Sequence, residues 1–323
     1  MNRREFLKAA AASAAAYTIS KVADISVLRA AGTQPAQTEP SGLPKREYGK
    51  TGIKLSIIGF GGIVVDGAEQ DHANKLVAEM IERGINYFDV APTYGNAQEH
   101  LGPALKPYRK DAFLACKTTE RTREKAAAEL KASLELLKTD HVDLYQLHSV
   151  TDVKKDIDAA FAKGGVMELV QEAKKDGRIL HVGFSAHSTE AALKLYPFDS
   201  ALFPVNFACW FQKDFGPAIL EAAKDKGCAR LALKGLAHQK WPKDDPARKK
   251  YSKCWYQPLT DPDEAKLCLR WTLSQPITAA VTPGEESLMR LALEVGTNFK
   301  PVTEKEIEQV KKLAAKSAPI FPA

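Results

Sequence analysis

Eight short apolar runs, each followed by a helical stretch, fill most of the chain between residues 55 and 295. The runs are LSIIGFGG, INYFDV, AFLACK, VDLYQLH, ILHVGFS, ALFPVNF, ARLALKG and ITAAVTPG. Helical patterns follow near 70–83, 97–105, 122–138, 154–176, 188–195, 214–226, 261–273 and 285–295, with apolar positions recurring at helical spacing. Eight such units in about 250 residues have the size and rhythm of a (β/α)8 TIM barrel. An open, doubly wound sheet is the competing arrangement, but GFGGIV after the first run lacks the G-x-G-x-x-G of a dinucleotide-binding turn. Two additions flank the repeat. REYGKTGIKLS reads as an N-terminal β-hairpin around Lys50-Thr51-Gly52, and TEKEIEQVKKLAAK as an extra C-terminal helix outside the barrel.

In a barrel of this kind chemistry is done at the C-terminal ends of the strands. The second run ends in Asp89, the third in Lys117 and the fourth in His148, and Tyr94 follows in the turn after the second. Period-two alternation sets Phe113, Ala115 and Lys117 on one face, and Leu144, Gln146 and His148 on one face of the next strand. Each residue alone has a bland reading: a capping aspartate, a lysine reaching for solvent, a structural histidine. On three consecutive strand ends they deliver an acid, a base and an imidazole to one rim.

Composition narrows the field further. Half of the net charge of +6 belongs to the first 31 residues, and no basic stripe is interleaved with aromatics, so nucleic-acid binding is not expected. The five cysteines are scattered, with no metal-ligand spacing; neither a disulfide framework nor a metal cluster is expected. The opening MNRREFLKAAAASAAAYTISK places Arg3-Arg4 before Phe6-Leu7 and an alanine-rich stretch. It resembles a twin-arginine export signal. The expected organisation is a signal over 1–31, a Pro/Gly-rich linker over 32–45 and a barrel domain over 46–323. The twin-arginine export machinery is then a partner, and the location is exported and periplasmic, or anchored through the N-terminus.

From about Tyr48 to Lys316 the chain resembles the aldo-keto reductase family, on GINYFDVAPTYGNAQEHLGPALK, CKT, DLYQLH, GRILHVGFS and RWTLSQPITAAVTPG. The resemblance implies Tyr94 as the proton donor to a carbonyl oxygen, with Lys117 beside the phenol, Asp89 paired to Lys117, and His148 orienting the substrate oxygen. The physical logic agrees. A phenol with a pKa near ~10 is a poor proton shuttle at neutral pH. A neighbouring ammonium lowers that value, and a carboxylate keeps the lysine charged.

The resemblance also implies a nicotinamide cofactor, NADP(H) by default, with NAD(H) left open by several departures. Ser185 is followed by Ala186 instead of asparagine, Gly284 and Glu285 stand where many members place lysine or serine, and Glu294 replaces an asparagine. Arg290 matches the family's adenine-side arginine. Glu285 and Glu286 would repel a 2′-phosphate and tolerate a ribose hydroxyl. Further candidates for the cofactor are Gly61, for close backbone approach, Lys234 for the pyrophosphate, and Asn206, whose alternative is a structural turn.

The substrate is expected to be an aldehyde, a ketone or a sugar-like molecule. The segment 235–258 reads as a long basic, aromatic loop able to cover the site, with Trp210, Trp241 and Trp255 as possible walls. Two other readings stand beside the reductase: a non-catalytic nucleotide-binding sensor or accessory subunit, and an aldolase using Lys117 as a Schiff base. Schiff-base chemistry prefers a neutral amine, which Asp89 opposes.

Overall fold

The computed structural model describes residues 42–194 and 198–321. The expected export signal, and residues 32–41 of the expected linker, lie outside the described residues. Leu43 is already buried in the core, and Lys45 opens the first strand.

A hairpin of β1 (Lys45–Glu47) and β2 (Lys54–Ser56) precedes eight parallel strands that close on themselves. They are β3 (Ile58–Gly61), β4 (Tyr87–Asp89), β5 (Phe113–Thr118), β6 (Val142–Val150), β7 (Ile179–Ala186), β8 (Ser200–Pro204), β9 (Ala229–Leu233) and β12 (Ala279–Val281). The seam lies between β12 and β3, where Ala280 pairs with Ile58. At that seam Gly61 is obligatory for packing: an added Cβ would lie 2.2 Å from the Thr282 carbonyl oxygen. The Gly61 N–H also donates to Thr282 Oγ1 at 2.9 Å. The closed sheet is the TIM barrel, and helices separate its strands in sequence.

Alternation along the strands sorts the barrel interior into layers. Tyr87, Phe113, Ala115, Leu144, Leu202, Leu231 and Ala279 fill the lower interior with Tyr48 and Leu55 of the hairpin region. The hairpin plugs that end, and Arg46 ties it down by donating to the Ile277 and Leu273 carbonyls, each at 2.8 Å. Asp89 lies two residues beyond Tyr87, Lys117 two beyond Ala115, and His148 two beyond Gln146. The inward face therefore turns from apolar to charged only at its upper end. A second, larger core lies between the barrel and its helices.

Two elements differ from the sequence reading, and the C-terminal helix falls where it was expected. Between β8 and β9 there are two helices, Phe207–Lys213 and Pro217–Lys226, where one was expected. Asp214 with φ 51° and Gly216 with φ 128° break the run. The segment 235–258 is no bare loop: β10 (Ala237–Lys240) and β11 (Tyr256–Pro258) pair antiparallel and carry the intervening residues as a strap. The C-terminal helix, Glu304–Lys316, begins with a capping box of Thr303 and Glu306. It packs against the Phe207–Lys213 helix, where the Gln212 amide donates to the Ala314 and Ser317 carbonyls.

Candidate active site

The upper barrel opens into a cleft lined by Asp89, Tyr94, Lys117 and His148 on one side and Thr282, Pro283 and Gly284 on the other. Strand stagger brings the first group together. Asp89 is level with Ala115 on β5, and Lys117 is level with Gln146 on β6. Asp89 is 2% exposed and Lys117 1% exposed, a depth at which an unpaired charge is not tolerated.

Both charges are met in full. The Lys117 ammonium has three N–H donors and uses them on Asp89 Oδ1, on the Val90 carbonyl at 3.3 Å and on Tyr94 Oη at 3.3 Å. The other Asp89 oxygen accepts from Tyr87 Oη at 3.2 Å and Gln146 Nε2 at 3.0 Å. Burial works to strip Lys117 of its proton, but Asp89 and Tyr94 outweigh it and hold the ammonium above its ordinary pKa. A neutral amine for Schiff-base chemistry is therefore disfavoured.

Tyr94 departs from expectation in one respect. Burial pushes its phenol up, and Lys117, although it pulls the other way, does not fully offset that push. The resting hydroxyl is therefore protonated. Because its oxygen accepts from Lys117, its own O–H is left to donate elsewhere. The His148 ring stands edge-on to the Tyr94 ring, 6.0 Å between centroids and at 83°. Burial and, next, the Lys117 charge depress the imidazole to about 2, so it is neutral.

The residues expected to hold a cofactor divide into two groups. Ser185 and Lys234 line the cleft with Gly61 and Gly284. Ser185 Oγ accepts from the Ser149 N–H at 3.2 Å, which leaves its hydroxyl proton free for a ligand. Lys234 pairs with no carboxylate among the described residues; its ammonium stands 5.2 Å from the Trp255 ring centroid and 4.7 Å from that of Tyr256. Burial, with Lys117 adding to it, lowers its pKa to about 8.

Asn206 and Arg290 are engaged elsewhere. Asn206 caps the Phe207–Lys213 helix through Oδ1 and donates to the Lys234 and Ala237 carbonyls through Nδ2, the structural role that was its alternative. Arg290 binds both oxygens of Glu79, at 2.6 and 2.9 Å, and Glu286 at 2.8 Å. Glu286 in turn meets His72 at 2.7 Å. Glu285 accepts from the Lys253 N–H at 2.8 Å, and Lys253 Nζ donates to the Val64 carbonyl at 2.7 Å. These two bonds fasten the strap across the cleft.

Of Trp210, Trp241 and Trp255, only Trp255 lines the cleft, and it is 48% exposed. Trp210 packs edge-on against Trp271, and Trp241 lies within the strap, donating to the Cys254 carbonyl at 2.8 Å. Sequence reasoning missed His187 and Phe321. His187 lines the cleft next to Ser185, and Phe321 stacks on it at 4.5 Å while also meeting Trp255 at 5.7 Å. His187 was legible two residues beyond Ser185 on a strand end; nothing local marks a phenylalanine near the C-terminus. All five cysteines are buried free thiols.

Comparison with known proteins bears on the family and the fold. A model described as the aldo/keto reductase family matches residues 57–315. The chain is 27% identical over 301 residues to the uncharacterized oxidoreductase YqkF of Bacillus subtilis, covering 83% of this chain and 95% of the relative. It is 31% identical over 144 residues to L-galactose dehydrogenase of Arabidopsis thaliana, covering 40% of this chain and 45% of that protein. Among solved structures, aldo-keto reductase AKR11C1 from Bacillus halodurans in its holo form superposes with a TM-score of 0.63 at 23% identity, covering 86% and 98% of the two chains. The parallel barrel, the charged rim and the family match lead to one conclusion: this chain belongs to the aldo/keto reductase family, whose members are oxidoreductases that bind nicotinamide cofactors.

Proposed function

We propose that the chain interconverts a carbonyl compound and its alcohol, with Tyr94 as the proton donor in reduction and the proton acceptor in oxidation. One observation carries this reading: Tyr94 Oη accepts from the buried Lys117 ammonium at 3.3 Å, so its own proton is free to leave toward the cleft. A nicotinamide cofactor, when bound, would supply the hydride for the carbonyl carbon. As charge develops on the carbonyl oxygen, Tyr94 transfers its proton there, and the phenolate left behind lies against an ammonium whose charge Asp89 maintains. His148, neutral at any working pH, offers a ring N–H that orients the carbonyl oxygen without competing as an acid. In the oxidative direction the same phenolate takes the alcohol proton.

The residues present suit a dinucleotide. The Lys234 ammonium matches an anionic diphosphate, and Ser185 offers a hydroxyl to the carboxamide. At the adenine side the reading favours NAD(H) over NADP(H). Arg290, the residue that the family resemblance assigns to that side, has its donors on Glu79 and Glu286. A 2′-phosphate would have to displace one carboxylate and sit beside the other.

The test is a titration of NADH and NADPH into the protein, followed by 4-nitrobenzaldehyde, with Tyr94→Phe as control. Nucleotide oxidation that depends on the aldehyde and collapses in Tyr94→Phe supports the reading. Binding without turnover in the unaltered protein sinks it.

A further inference from the structure

His148 is aimed in an unusual way. Its Nδ1 is buried without a hydrogen-bond partner, and no hydrogen bond to the ring is formed among the described residues. With no hydrogen bond on the ring, its orientation depends on the backbone that carries it and on the Tyr94 ring packed beside it. The backbone is also off the ladder there: β6 and β7 pair regularly through Leu147 and Phe184, then slip before Val150 meets Ala186. Ser149, directly after His148, has φ 54°, a left-handed conformation that a non-glycine residue adopts only when its surroundings impose it.

Two contacts impose it. One is the Ser149 N–H on Ser185 Oγ. The other is Arg121, in the turn after β5 and only 12% exposed, which donates from Nη2 to the His148 carbonyl at 2.7 Å. The other terminal nitrogen, Nη1, donates to the Thr118 carbonyl at 3.2 Å, one residue from Lys117. The guanidinium thus joins the two strand ends that carry Lys117 and His148. Asp156 completes the arrangement: Oδ1 pairs with Arg121 at 3.1 Å, and Oδ2 accepts from the Thr151 and Asp152 N–H groups at 2.8 and 3.0 Å. The carboxylate so fixes both the arginine and the chain that follows Ser149.

We propose that Arg121 is a positioning residue that sets the distance between the His148 imidazole and the Tyr94–Lys117 pair, with Asp156 holding its guanidinium in register. A planar fork is needed, because two carbonyls on different strands and one carboxylate are met at once; a lysine reaches one of them. The kinetic consequence rests on the reductase reading, whereas the position of the ring does not.

The experiment compares Arg121→Met, Arg121→Lys and Asp156→Asn with unaltered protein. It measures kcat and KM for 4-nitrobenzaldehyde, NADH affinity by calorimetry, melting temperature, and the imidazole resonances, with His148 identified through a His148→Gln variant. In Arg121→Met, kcat is expected to fall about 10²-fold, the scale of a misplaced catalytic geometry, with NADH affinity retained. Arg121→Lys recovers part of the loss, Asp156→Asn is affected least, and the His148 signal in Arg121→Met shifts or broadens. Unchanged kcat with an unchanged His148 signal overturns the proposal. So does an equal loss in Arg121→Met and Arg121→Lys that tracks melting temperature and NADH affinity, since that is what a purely structural arginine would give. If the unaltered protein binds NADH but turns over no aldehyde, the reductase reading fails, and the His148 signal still decides the role of Arg121.

Discussion

Lys117 and Arg290 are both cations satisfied by carboxylates, and they mark two ends of a range, one buried in the cleft and the other on the helix surface outside its lining. Lys117 sits at 1% exposure and meets one carboxylate, one carbonyl and one phenol. The phenol keeps a proton to give away. Arg290, with its side chain 41% exposed, meets two carboxylates and keeps nothing. A buried charge becomes useful when one of its partners is itself reactive. A surface charge that is cancelled on both sides is a strut between helices, here Gln70–Glu82 and Glu286–Thr297.

The largest expected effect comes from breaking the buried end. Lys117→Met should lower aldehyde-dependent kcat by about 10³-fold or more, as expected for disabling a general acid. It should also lower unfolding free energy by about 3–5 kcal/mol, because Asp89 is left buried without its ion partner. Denaturant titration beside the kinetics checks both; wild-type stability would show that Asp89 does not depend on the lysine.

Freeing the cancelled end should have a smaller, selective effect. Glu79→Gln combined with Glu286→Gln releases Arg290, and NADPH affinity measured by calorimetry should rise roughly tenfold, about one charge-assisted contact. NADH affinity should stay unchanged. Equal gains for both nucleotides would refute the idea that the two glutamates discriminate at the 2′ position.

The smallest effect tests Lys234, the second cation that lines the cleft. The Lys234 pKa, brought down to about 8, means that the charge is complete below pH 7 and is lost as pH rises through 8. Nucleotide affinity should fall severalfold between pH 7 and 9, on the order of one weakened anion contact. Lys234→Gln should bind more weakly at pH 7 and lose most of this slope. A slope that survives the substitution would assign the titration to another group.

Legibility from sequence followed the same division. The barrel was readable because eight strand–helix units leave few other closed arrangements, and the charged rim because alternation and strand ends fix which side chains face inward. Asp89, Lys117 and His148 needed no long-range knowledge. Arg290 did: its partners lie on its own helix and on one more than 200 residues earlier, and no local pattern announces Glu79. Asn206 was ambiguous for a related reason, since its amide is satisfied by carbonyls beyond the next strand. The fall of the Tyr94 pKa expected from Lys117 was outweighed because a neighbour is visible in sequence and depth of burial is not. Trp255 and Trp241 could not be told apart until the hairpin of β10 and β11 placed one over the cleft and the other inside the strap.

The seam at Gly61 and Thr282 has a consequence for synthesis. The two residues are 221 positions apart, and Arg46 finds its carbonyls 227 and 231 positions later. By the time a ribosome has made His148, every group of the proton-transfer assembly exists, but β3 still lacks the neighbour that closes the barrel. Until β12 emerges, the growing sheet has an open edge at β3, an invitation to mispairing, and contacts of such long range form slowly. Whatever handles this chain during synthesis therefore meets a polypeptide whose strand edge stays open until its last barrel strand is made.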